Sequence, residues 1–230
     1  MILSEILRTL MDNNEILKGI LDTILMTLIS TTISYILGLP LGIILNITDK
    51  KGLCPLKIIN KILGLIVNFL RSIPFIILMV AMLPVARFIV GTSLGNKAMV
   101  VMLVIAATPY IARLTENSLK EIDYGVIEAA KSMGATDFEI ITKVMLVEAK
   151  PSLIMGATVS MITVLGYTAM ASTIGGKGLG QIAIIYGHQR SNPDITWLCV
   201  ILMVVIVIII QELGNLIVRK IDKRNKKING

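Results

Sequence analysis

The chain has 230 residues, 55% of them hydrophobic and only 16% charged, with a mean hydropathy of +0.83 and a formal net charge of +7. Soluble domains carry about 25% charged residues, so this composition excludes a soluble globular protein and describes a membrane protein. The length suits one bundle of about five spans, each of roughly 20 residues, with its loops.

The first residues, "MILSEILRTLMDNNEILKGI", mix polar and apolar side chains. They lack the basic start, compact apolar core and small-residue cleavage site of a signal peptide, so a short amphipathic lead-in is expected. The first apolar run, Ile20 to Ile47, is long enough to span with tilt and carries Gly38 and Gly42 around Pro40. Two glycines at that spacing favour close helix approach. Leu65 to Leu83 is the second run, interrupted by Arg71 and Pro74; Ala98 to Ala112 is the third, short and containing Pro109. Arg71 lies either inside the membrane, where it needs a partner, or at the cytosolic end of the second span, snorkelling. Ser152 to Ile174 is the fourth run and Ile195 to Ile217 the fifth and purest. Between the last two, "GGKGLG" reads as a flexible turn. Cys54 falls in a loop and Cys199 in an apolar run, which argues against a disulfide framework.

Lys and Arg are distributed unevenly. The loops after the first and third spans, with the tail "RKIDKRNKKING", hold fifteen of them, against six on the other side. The basic side is the cytosolic one, so the N-terminus is expected outside and the C-terminus in the cytosol, with residues 218–230 as a basic cytosolic tail. The positive charge is therefore a topology signal and does not point to nucleic acid.

Residues 113–150 then form a cytosolic segment too long for a plain connector. Within it, "VIEAAKSM" reads as a helix stopped by Gly134, which adopts a left-handed cap cheaply. Thr136-Asp137-Phe138-Glu139 fits a capping box, and a second helix follows through Ile140, Ile141, Val144 and Met145. Val126, Ala129, Ala130 and Met133 share one helical face. Two readings are open: an amphipathic hairpin lying on the bilayer, or a docking knob for a soluble partner.

"EAAKSMGA", Glu128 to Ala135, resembles the EAA loop of ABC-importer permease subunits. The family pattern is Glu-Ala-Ala, three residues, Gly, nine residues and Ile-x-Leu-Pro. Gly134 stands at the matching offset, and Val144-Met145-Leu146-Val147 takes the closing tetrad, with Val147 where the family has proline and Pro151 four residues on. "FLRSIPFIILMV", "VGTSLG", "TPYIARLTENSL" and "GGKGLGQIAIIYG" also occur in order and are similar to the methionine-import permeases. The resemblance implies an all-α polytopic membrane helix bundle of five transmembrane helices, core about 17–217, with a cytosolic coupling-helix loop. It also implies a transport subunit of the cytoplasmic (inner) membrane rather than an enzyme. The implied partners are a second copy of the chain, a cytosolic ABC ATPase dimer that binds the ATP, and an extracytoplasmic binding protein. Glu128, Ala129, Ala130, Gly134, Ala135, Thr136, Asp137 and Phe138 become the ATPase-coupling residues. For Glu128 the plainer alternative is a solvated helix charge.

The rest of the sequence agrees with that division of labour. It contains no G-x-x-x-x-G-K-[ST] phosphate loop, and "GGKGLG" has the wrong spacing. His188 is the lone histidine, so no metal site, resident cofactor or catalytic constellation is expected. A secondary transporter would ordinarily place acidic groups mid-membrane; Asp22 and Glu212 sit near span ends instead. Ser160, Thr163, Tyr167 and Met170 in the fourth span are the candidate lining of a translocation pathway, or ordinary helix packing. The substrate is expected to be methionine, with another amino acid or a small osmolyte as the alternative.

Overall fold

The computed structural model describes residues 14–221. The amphipathic lead-in and most of the basic tail lie outside the described residues. Among the described residues all regular structure is helical. Four helices are long and apolar enough to cross a membrane, and a bent pair makes a fifth if it counts as one span. A helix is the economical answer in hydrocarbon because each of its backbone groups finds a partner within the same segment.

Helix α1, Glu15–Ile47, has 33 residues with Pro40 inside. At about 1.5 Å per residue it exceeds a hydrocarbon core of roughly 30 Å and must tilt or project. Two of its hydroxyls are satisfied locally, Thr23 and Thr27 donating back to Gly19 O and Thr23 O at 2.8 Å, while the buried Ser30 and Thr31 hydroxyls have no hydrogen-bond partner among the described residues. The second apolar run is not one straight span. Helices α2, Lys57–Ser72, and α3, Phe75–Ala81, are bent by 105°. The cause is Pro74, which lacks an N–H and keeps its predecessor out of the helical region. Arg71 stands exposed in the last turn of α2, at that bend. Helix α4, Leu83–Val90, closes on a left-handed Gly91.

Helix α5, Asn96–Lys120, carries Pro109 within it and continues past the apolar run into charged sequence. Next come α6, Tyr124–Ser132, and α7, Asp137–Glu139; a π-helical turn over Ile140–Met145 leads into α8, Leu146–Glu148. Helix α9, Lys150–Ala171, ends in a 3-10 turn, Ser172–Ile174. Pro151 falls in its first turn, where a missing N–H costs nothing. A short α10, Leu179–Ile182, and a second π-helical turn, Ala183–Gln189, lead to α11, Pro193–Ile221.

The chain divides into two compact units. The first comprises Met1–Ile33, Ile73–Ala107 and Met161–Gln211. Here "GGKGLG" is packed rather than loose. Gly175 and Gly178 have φ of +98° and +134°, and Leu179 is fully buried with its N–H donating to Thr23 Oγ1 at 3.0 Å. A Cβ at Gly178 would lie 2.7 Å from Thr23 Oγ1, and one at Gly180 2.7 Å from Ala169 Cα. The glycines are there because two backbones touch, which is why the flexible-turn expectation fails.

The second unit comprises Ser34–Ser72, Thr108–Ser160 and Glu212–Gly230. The Gly38/Gly42 pair is used as its spacing suggests. A Cβ at Gly38 would meet Thr108 O at 2.9 Å, and one at Gly42 would press on Ala112 O and Thr115. Leu45, Val67 and Ala112 pack beside this contact. Tyr35 donates to Leu153 O at 2.6 Å. We expect Gly42→Val to overpack the α1–α5 contact and lower stability by about 1–3 kcal/mol, read as a lower thermal midpoint in mild detergent. Gly64→Ala, where an added Cβ meets nothing within 4 Å, should leave the midpoint unchanged or raise it. Equal losses for both variants would refute the close-contact account.

Candidate functional site

The 121–149 module is assembled from local rules. Asp123 caps α6, its Oδ1 accepting from Gly125 N–H at 2.7 Å. The other end is a Schellman motif: Gly134 N–H donates to Lys131 O at 2.9 Å and Ala135 N–H to Ala130 O at 3.1 Å, with Gly134 at φ +80°. A Cβ on Gly134 would meet nothing within 4 Å, so the demand for glycine there is conformational and not steric. Two residues on, the capping box forms in full. Glu139 N–H donates to Thr136 Oγ1 at 3.3 Å, and Glu139 Oε2 accepts from Thr136 N–H at 3.1 Å. Lys143 Nζ lies 2.9 Å from Glu139 Oε1. That ammonium, with the Thr136 donors, holds the Glu139 carboxyl down at about 2. The cap therefore keeps its charge across the physiological range.

Beneath the corner lies a small core of Leu119, Ala130, Ile140, Met145, Ala149 and Leu153, with Ile127 and Ala135 packed against it. The four residues of the face predicted from helical spacing line one groove, at different depths. Ala130 turns inward and is 4% exposed, while Val126, Ala129 and Met133 face outward, Met133 being 81% exposed. All four, with Asp123, Gly125 and Val144, line this open groove of about 470 Å³. Phe138 is 73% exposed. Large apolar side chains exposed on a cored, capped scaffold fit either of the two open readings, a partner surface or a face lying on lipid. Glu128 is exposed and makes no ion pair among the described residues, so its carboxylate is not spent on the module's own geometry. Asp137 accepts from Cys54 Sγ at 3.5 Å, which pushes the Cys54 thiol up.

Several supporting residues carry no strong sequence signal. Glu116, 3% exposed, is held by Arg113 at 2.5 Å and Lys120 at 2.7 Å. Lys120 also pairs with Asp49 at 2.8 Å, and Arg113 donates to Asn68 Oδ1 at 2.5 Å. This cluster ties the ends of α1 and α2 to α5, directly before the module. Asp123 was legible as an Asp preceding a helix. The pairings of Glu116 needed the fold.

The candidate pathway residues all lie on α9. Ser160, in the second unit, is buried and donates to Gly156 O at 2.7 Å. Thr163, Tyr167 and Met170 belong to the first unit, where Tyr167 stacks on Phe75 with centroids 4.2 Å apart and Met170 is 49% exposed.

Comparison with known proteins agrees with this architecture. Residues 38–227 match the family described as binding-protein-dependent transport system inner membrane component. The chain is 46% identical over 182 residues to the probable D-methionine transport system permease protein MetI of Vibrio cholerae, covering 79% of this chain and 81% of that one. It is 46% identical over 181 residues to the methionine import system permease protein MetP of Bacillus subtilis, covering 79% and 82%. A solved structure of the MetNI methionine ABC transporter in inward-facing form aligns with a TM-score of 0.88 at 42% identity, over 90% of this chain and 96% of that one. An amino acid ABC transporter structure aligns with a TM-score of 0.77 over 93% and 97%, at 20% identity, a likeness of fold alone. The fold is that of a type I importer permease, crossing the membrane several times. The match covers most of the chain, and the chain belongs to the inner membrane components of binding-protein-dependent transport systems.

Proposed function

We propose that this chain is the membrane-spanning subunit of a methionine importer, working as a pair of copies on a cytosolic ATPase dimer and fed by an extracytoplasmic binding protein. The observation that carries the coupling role is the outward apolar face of α6 with Phe138, presented on a capped and cored module. The substrate follows from relatives named for methionine transport that cover nearly the whole chain. Glu128, Ala129, Ala130, Gly134, Ala135, Thr136, Asp137 and Phe138 make or shape the docking knob. Ser160, Thr163, Tyr167 and Met170 contribute to the pathway. A polarizable, uncharged lining suits the thioether of methionine and does not trap its ionised groups.

The mechanism is a population shift. ATP binding closes the ATPase pair, and whatever is docked in its surface moves with it. A cornered helix pair passes that displacement on to α5 and α9, between which the module lies in the chain. Nucleotide favours the outward-open state only by the difference in its affinity for the two states. The chain contributes no ATP chemistry of its own. In this orientation the module is cytosolic and the 190–192 turn is outside.

Three tests follow. In a Cys54→Ser background, which leaves Cys199 buried, Gln189→Cys should react with an impermeant thiol reagent added to whole cells and Asn117→Cys should not; both positions are exposed. Labelling of Asn117→Cys alone would invert the topology. The purified chain should hydrolyse no ATP. Reconstituted with the ATPase and binding protein encoded beside it, it should import labelled methionine in an ATP-dependent way that excess unlabelled methionine suppresses. Suppression by an unrelated amino acid but not by methionine would move the substrate assignment.

The third test concerns the corner. Gly134→Val places a β-branched residue at φ +80°, a conformation costing an ordinary residue about 1–2 kcal/mol and a β-branched one more. The variant should insert in the membrane yet lose ATPase copurification. Gly134→Asn should be milder, because Asn tolerates the left-handed region. Glu139→Ala, which removes one half of the capping box, should retain most coupling. Normal transport by Gly134→Val would sink the docking-knob reading in favour of a helix pair lying on lipid.

A further inference from the structure

A cleft of about 550 Å³ opens within the second unit, between the end of α1, the loop that follows it, the last turn of α5 and the buried side of α6. Lys50, Lys51, Lys120 and Lys131 line it, with Asp49 as its one carboxylate. That carboxylate is already engaged. It lies 2.8 Å from Lys120 Nζ and accepts from Lys50 N–H at 2.6 Å. Lys120 is also shared with Glu116. Lys50, Lys51 and Lys131 form no ion pair among the described residues, so the cleft carries an unneutralised positive charge. Its floor is apolar, with Leu53, Leu119 and Ile127 among the lining residues, and Tyr124 at its edge is 61% exposed.

Two properties coexist here that an ordinary solvated lysine patch does not combine: uncompensated ammonium groups, and an enclosed hydrocarbon floor beside them. The ligand that matches both carries a phosphate anion joined to hydrocarbon. We propose that this cleft binds the headgroup of an anionic phospholipid. Lys50, Lys51 and Lys131 meet the phosphate, and the glycerol and first acyl carbons lie on the Leu53–Leu119–Ile127 floor. The position agrees. Ile47 is the last residue of α1, and Lys50 follows within the next turn of chain, so the cleft opens at the end of a helix long and apolar enough to span. Basic pockets beside membrane helices on the cytoplasmic side are recurrent anionic-lipid sites, and an aromatic at the edge suits the interfacial belt. Assignment to the cytoplasmic leaflet rests on the proposed orientation. Binding itself does not, so thiol labelling tests the one and lipid binding the other.

The experiment uses the full chain in uncharged detergent. Its thermal midpoint is measured with phosphatidylglycerol, phosphatidylcholine or inorganic phosphate at equal concentration, and retained lipid is counted by native mass spectrometry. Phosphatidylglycerol should raise the midpoint by several degrees and remain bound, while the other two do neither. Lys50→Gln with Lys51→Gln should weaken phosphatidylglycerol binding by roughly tenfold or more, and Lys131→Gln, on a separate element, should weaken it as well. The control, Lys57→Gln with Lys61→Gln, removes two exposed charges of α2 that do not line the cleft and should bind as the unmodified chain does. Equal weakening by the control pair would reduce the effect to bulk charge and overturn the site. A shift of the same size with phosphatidylcholine would overturn the phosphate–lysine contact. The same shift with inorganic phosphate alone would assign the cleft to a soluble anion and overturn the lipid.

Discussion

Hydrocarbon offers a peptide group no water to turn to, and an unsatisfied N–H or C=O there costs several kcal/mol. The rest of this molecule follows from that constraint. It makes the long segments helical, and it decides what hydroxyls can do inside them. Thr158 and Ser160 in α9 donate back to Ile154 O and Gly156 O, and Thr168 to Leu165 O, so these three hydroxyls are satisfied within their own helix. It also decides where an apolar run may break. The bend falls at Pro74, which has no N–H to orphan, and its carbonyl accepts from Ile77 and Leu78. The left-handed corners at Gly134 and Gly175 are placed outside the long helices.

The same rule is stricter for charge. Glu116 is 3% exposed, and an unpaired carboxylate at such a site is untenable. Arg113 and Lys120 flank it on its own helix, one turn before and one after, and Asp49 and Asn68 complete the set from α1 and α2. Because Lys120 is 46% exposed on its side chain, water screens part of the attraction, and the net gain in stability is modest. The geometric consequence is larger. Glu116 is satisfied within α5, and the Lys120–Asp49 and Arg113–Asn68 contacts join that helix to the chain after α1 and to α2. The module that follows α5 starts from a fixed platform.

The residues that announced themselves in the sequence were those whose chemistry is local. Gly134, the Thr136–Glu139 box and the Gly38/Gly42 pair each express a rule spanning a few residues, and each is used in that way. The four long helices were legible for the same reason, although α5 runs on to Lys120 because a buried ion cluster, invisible to hydropathy, extends it. What was not legible depends on distant partners. "GGKGLG" looked like slack chain, since nothing local says that Thr23 and Ala169 will press against Gly178 and Gly180. That the break at Pro74 is a 105° bend, with Arg71 in the helical turn before it, also needed the fold. The coupling face looked uniformly apolar, and only the core beneath it shows that Ala130 turns in while Met133 turns out.

One pattern in the module contradicts α-helical periodicity and explains its shape. Ile140 and Met145 are 0% and 2% exposed, and both belong to the same small core as Ala149 and Leu153. Residues five apart on an α-helix, at about 100° each, point some 140° away from each other, so an α-helix could not bury both in one place. The turn over Ile140–Met145 is π-helical, and its i→i+5 closure brings the two onto one side. From Met145 to Ala149 to Leu153 the spacing is four, and the α-helical period resumes. The extra residue re-phases the chain between the corner and α9. In the proposed importer this matters mechanically. The segment is pinned to the core at both ends, and a displacement delivered at α6 reaches the start of α9 through packed side chains, with no free loop between them to absorb it.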